Sequence, residues 1–162
     1  MTESTSALRD HLVRVLDWED AHVTLDKAVE GIPLDKRGAR APGFDHSIWQ
    51  LLEHIRLAQE DILDFCVNPA YAHTRTWPDD YWPTAAAPPS PQAWTECLEA
   101  YARDREAVKR LARDTPDLTA RVPTGKEKQT YLRAILLVAD HAAYHVGQIV
   151  AVRKALGIWP VA

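Results

Sequence analysis

The stretch "ILLVADHAAYHVGQIVAVRKALG", Ile135 to Gly157, decides how this chain folds. It reads as a buried helix that stops at a glycine, and it carries two imidazoles, His141 and His145, one turn apart. Residues at i and i+4 share a helix face, with Cβ atoms about 5–6 Å apart, so the two rings can converge on a single ion. Two hydrogen-bonded structural histidines would show the same spacing. The choice between these readings depends on what the rest of the chain sets opposite the pair.

Three further segments have helical periodicity, and Pro and Gly separate them with no alternating strand pattern. The first is read from about Thr5 to Val29, with an apolar stripe from Leu8 through Leu12, Leu16 and Val23 to Leu25, and it stops at Gly31 and Pro33. The second opens at "HSIWQLLEHIRLAQEDILDF", where Ser47 and Gln50 have capping-box spacing. The third opens at "SPQAW", with Ser90 as cap and Pro91 at the first helical position, and is expected to reach about Arg113. The fourth is expected to begin at "TGKE", another capping box with Thr124 and Glu127, giving a helix about 45 Å long. Four amphipathic helices are the parts of an all-α four-helix bundle.

One connection is too long for a plain linker. "NPAYAHTRTWPDDYWPTAAAPPSP", Asn68 to Pro91, joins the second helix to the third, and loops beyond about 12–15 residues in compact domains usually carry function or are disordered. Tyr71, Trp77, Tyr81 and Trp82 seek burial, so this loop is expected to pack as a cover over the bundle.

The 162 residues fit a single domain, residues 1–162, large enough to bury about 70% of the surface of the unfolded chain. Hydrophobic residues make up 46% and charged residues 26%, which is globular usage and argues against disorder. A formal charge of −4 with no basic cluster argues against nucleic acid as a partner. The acidic start "MTESTSALRDHLVRVLDWED" lacks the basic and apolar segments of a signal peptide, so no membrane is expected and the cytoplasm is the expected location. Cys66 and Cys97 fall in no metal or redox spacing and read as core thiols. No Gly-rich phosphate cradle and no GxSxG elbow is present.

A third histidine changes the weight of the HxxxH pair. His54 interrupts the apolar face of the second helix, near Leu51 and Ala58 by helical spacing, where a polar ring gains little unless it is bonded. Two facing helices would bring His54, His141 and His145 to one point. His11, His22, His46 and His73 have no such pairing and read as surface or locally bonded residues. Glu53 and Asp140 adjoin the proposed ligands in sequence but project about 100° away around their helices. Asp61, seven residues after His54, lies on its face and is the candidate base or proton-transfer group.

The segments "HSIWQLLEHIRLAQEDIL" and "DHAAYHVGQIVAVRKALGIW", with "YWP" at Tyr81 to Pro83 between them, resemble the DinB/YfiT-like superfamily of metal-dependent bundles. The resemblance implies an up-down-down-up arrangement of four helices. It also implies a divalent metal, commonly zinc or nickel, at three histidines, which here match His54, His141 and His145. Relatives that use a low-molecular-weight thiol, such as maleylpyruvate isomerase-like proteins, can have a glutamate where this chain has His141. A three-imidazole site leaves the ion its full charge and an open position for water or a thiolate.

The expected function is therefore a metal-dependent enzyme of the thiol S-transferase or hydrolase type, acting on a small molecule in a pocket under the aromatic loop. The alternative is a non-catalytic metal- or ligand-binding protein of the stress response. A third reading is a structural bundle with an empty histidine cluster. The expected partners are a small-molecule substrate and a second copy of the chain in a homodimer.

Overall fold

A computed structural model describes residues 3–160 of the chain. Among the described residues there are five helices: α1 (Glu3–Val15), α2 (Leu25–Val29), α3 (Ile48–Val67), α4 (Pro91–Asp114) and α5 (Tyr131–Ala155). Single 3-10 turns lie at Leu34–Lys36 and Asp79–Tyr81. Among the described residues there is no strand, only an isolated antiparallel bridge between Arg121 and Thr130.

Residue pairings give the direction of each long helix. Trp49 meets Trp94, and ten residues further along α3 Gln59 donates to the Tyr101 carbonyl at 2.9 Å, so α3 and α4 run parallel. His54 lies against His145, whereas Cys66 shares a cluster with Ala134, so α5 runs antiparallel to α3. Arg9 reaches the Ala112 carbonyl while Asp17, beyond the end of α1, pairs with Lys109, so α1 opposes α4. The arrangement is up-down-down-up, and a parallel α3–α4 pair requires the long loop to run back along the bundle.

Local chemistry fixes the starts of the central helices. Ser47 accepts from the Gln50 N–H at 3.2 Å while the Gln50 side chain accepts from the Ser47 N–H at 3.1 Å, which completes the expected capping box. Ser90 caps α4 through the Ala93 N–H at 3.1 Å, with Pro91 in the first turn. Gly31 and Gly157 take positive φ, 68° and 69°, where the chain turns away after α2 and α5.

Two expectations need correction. The first segment is two helices, because its apolar residues serve different clusters. Leu12 and Leu16 pack with Val108 and Ala112, whereas Leu25, Ala28 and Val29 pack with Trp94 and Ile149. No straight helix reaches both, and Thr24 caps the second piece by accepting from the Lys27 N–H. The fourth helix begins at Tyr131 behind a Thr130 cap, and Thr124 and Glu127 form no capping box. Residues 121–130 instead make a tight turn, closed by Val122 N–H to Gln129 C=O at 2.9 Å, with Val122 buried beneath it.

By length and composition α5 is apolar enough to cross a membrane, yet one side of it packs against α2, α3 and α4 in the core. Both cysteines are buried free thiols. Burial pushes the Cys66 thiol up to about 12, which makes it a poor nucleophile.

Candidate metal centre and its cavity

The long loop is stitched to the first turn of α3. Gln50 Nε2 donates to the Pro83 carbonyl at 2.9 Å, and the Ser47 hydroxyl donates to the Ala86 carbonyl. These bonds hold Trp82 over the middle of α3, where its ring stacks on His54 with centroids 3.7 Å apart and planes within 3°. Trp82 stacks equally closely on His46, at 3.7 Å and 7°. Trp77 completes the roof, 5.9 Å from His54 and 6.1 Å from His141 between centroids.

Beneath this roof the structure brings His54, His141 and His145 together, with one ring nitrogen of each within 4.8 Å of the others. His54 is only 1% exposed. Its Nδ1 lies 3.0 Å from the Tyr81 carbonyl, which can only accept, so Nδ1 carries the proton and Nε2 is a lone pair. That lone pair points at His141 Nε2, 3.0 Å away. His145 Nδ1 lies 2.7 Å from Gln148 Oε1, which leaves its Nε2 available. Orienting an imidazole through its second nitrogen is the usual support of a metal-binding histidine.

The electrostatics keep the rings neutral. Burial, offset in part by the Tyr81 carbonyl and reinforced by His145 and His46, pulls His54 down to about 4. Burial and the two neighbouring rings bring His141 down to about 4 as well. Burial lowers His145 against the opposing pull of Gln148. At neutral pH the cluster therefore offers three uncharged imidazoles, the form that binds a metal.

His141 also lines a cavity of about 650 Å³, within the range of small-molecule sites. Ile62, Phe65, Trp77 and Leu137 give it apolar walls. Asp61 lies on the wall and accepts from Tyr81 Oη at 2.7 Å and Tyr71 Oη at 3.1 and 3.2 Å. Tyr71 Oη also meets His73 Nδ1 at 3.0 Å. Burial and the Asp61 charge push both phenols up, so both stay donors at neutral pH. Tyr81 thus orients His54 with its carbonyl and Asp61 with its hydroxyl.

The residues set aside in the sequence divide. Glu53 pairs with Arg56 at 2.7 Å, and Asp140 lies in a separate outer groove with His22, away from the imidazole cluster. His46 and His73 do join the site, the first through Trp82 and the second through Tyr71. Sequence spacing carries no sign of either contact, because each depends on the path of the long loop. Gln148 had a signal, being three residues after His145 on the same helix.

The fold and site together define a helical bundle with a three-imidazole cluster opening on a cavity. The chain belongs to the DinB superfamily, whose family model matches residues 17–149. Comparisons with curated proteins and with solved structures gave no match.

Proposed function

We propose that this protein is a metal-dependent enzyme of the thiol S-transferase or hydrolase type, with a zinc or nickel ion held by His54, His141 and His145. The observation that carries the reading is the convergence of three neutral imidazoles, two of them oriented through Nδ1 by Tyr81 and Gln148. Bound there, a divalent ion supplies positive charge and an open position at which a substrate or nucleophile is polarised.

The chain's own residues do the rest. Trp82 and Trp77 shield the imidazoles from water, and the apolar walls take the body of a small substrate. Asp61, aimed by Tyr71 and Tyr81, is the group that accepts a proton from an attacking thiol or water. Tyr71 and His73 connect Asp61 to the exposed mouth, a route by which that proton leaves.

The test is turnover by metal-loaded protein of a chloro-nitroaromatic and an epoxide, with and without cysteine-derived thiols. Dependence on both metal and thiol supports the transferase, and metal-dependent hydrolysis without thiol supports the hydrolase. Activity no greater than that of His145→Ala in every assay rejects both and leaves the binding protein.

A further inference from the structure

The cavity is not electrically uniform, and its asymmetry bears on what it holds. His141 marks one end. Arg133 is eight residues earlier on α5, about 12 Å back along the helix axis, and it lines the same cavity together with Lys126. Among the described residues neither cation has a carboxylate within ion-pairing distance. Among the described residues the only acid on the cavity wall is Asp61, and two phenols already donate to it.

The backbone of Lys126 is held in place by its turn, and its side chain is exposed. Its N–H donates to Gln129 Oε1 at 2.6 Å, its carbonyl accepts from the Gln129 N–H at 2.9 Å, and the Gly125 N–H donates to the Val122 carbonyl at 2.8 Å. Gly125 lies so close to α3 that a Cβ there would meet Phe65 Cζ at 3.0 Å. The turn is therefore pressed onto the cavity wall, and Arg133 follows in the first turn of α5, where its N–H is capped by Thr130.

We infer that the ligand of this cavity is an elongated small molecule with an apolar body and an anionic end, the anion seated at Lys126 and Arg133 and the reacting end at the histidines. The inference rests on the cavity being the substrate site of the proposed metal centre. Apolar walls between the two ends match the ligand's body, and the unpaired cations match its charge. Both cations are exposed at the cavity rim, so a neutral ligand of the same shape would leave them to water and gain nothing from their charge.

The test uses two fluorescent probes with the same skeleton, 1-anilinonaphthalene-8-sulfonate and its uncharged parent N-phenyl-1-naphthylamine, titrated into chelator-treated and zinc-loaded protein. The sulfonate is expected to bind at least about tenfold more tightly, and Lys126→Gln/Arg133→Gln to erase the preference. Asp61→Asn is expected to tighten sulfonate binding. Trp18→Ala, in the outer groove that Arg133 also borders, is expected to leave it unchanged.

Equal binding of the two probes, a preference that survives the double substitution, or loss of binding in Trp18→Ala overturns the inference. Because discrimination is read in metal-free protein as well, its failure is distinct from a failure to bind zinc. Discrimination without zinc binding supports the anionic ligand and removes the metal.

Discussion

Two kinds of buried polar group in this molecule are alike in burial and differ in how they are completed. Arg9 gives its guanidinium to the end of α4, donating to the carbonyls of Ala112 and Thr115 at 2.7 Å and of Arg113 at 3.0 Å. Arg153 does the same for the Ala28 carbonyl at 2.7 Å and lies over the Trp159 ring. Their terminal nitrogens meet acceptors that the chain itself supplies, with only the Nε of each buried and unpartnered, and the result is a joint between helices. The histidine cluster is different. The outer nitrogens of His54 and His145 are completed by Tyr81 and Gln148, while the Nε2 atoms of His54 and His141 face each other. In the metal-binding tautomers the three rings offer three lone pairs with no protein donor between them. Polar burial that closes on itself holds a fold, and polar burial that converges on a point prepares a ligand site.

That contrast predicts opposite results for the two groups. Replacing any one of His54, His141 or His145 by Ala should abolish the stabilisation by zinc. In the unmodified protein that stabilisation amounts to about 2.7 kcal/mol at a hundredfold excess over Kd. Thermal unfolding with and without zinc checks it. Arg9→Ala should lower stability by about 3 kcal/mol, since buried carbonyls lose their donors, yet leave the zinc-induced shift intact. A shift that disappears with Arg9 would erase the distinction. Gln148→Ala should weaken zinc binding by about 10- to 100-fold, because the His145 ring loses its orienting partner. Competition against a chelator dye reads the change.

Titration sharpens the comparison further. The folded triad stays neutral down to about 4 at His54 and His141, whereas the unfolded chain takes up protons near 6.5. Between those values the unfolded state binds more protons, so stability of the metal-free protein falls as pH drops from about 6.5 toward 4 and levels off below. Denaturant midpoints across that window check the sign, and the slope should become shallower in the triple alanine variant. Ordinary imidazoles would lose a metal below about 6.5. Here burial holds proton competition at His54 and His141 off toward about 4 and delays it at His145 as well. The smallest effect expected is that of Ser47→Ala, about 1 kcal/mol for the lost cap, with added mobility of the loop tied through Ala86, read by hydrogen exchange at Tyr81 and Trp82.

What the sequence showed and what it hid divide by range. The Ser47–Gln50 box, the Ser90–Pro91 start and the Gly157 stop depend on neighbours within a few residues, and all three formed. The pairing of His141 with His145 follows from helical period, and His54 stood out as a polar ring on an apolar face. The breaks went the other way. Thr124 and Glu127 have the local form of a cap, but Val122 is buried and Gly125 presses on Phe65, so tertiary packing turns the chain there. The gap between α1 and α2 likewise follows from two separate clusters that no local pattern reveals. The His46–Trp82–His54 stack and the Asp61–Tyr81 bond join residues 20 to 36 positions apart through an irregular loop. Periodicity carries no information at that range.

The central claim, that the three imidazoles form one metal site, is tested most directly by calorimetric titration of chelator-treated protein with zinc and nickel, with elemental analysis of the product. One divalent ion per chain is predicted, with binding lost in the His54→Ala/His141→Ala/His145→Ala variant while that variant remains helical by circular dichroism. Equal stoichiometry and affinity in the folded triple variant would contradict it.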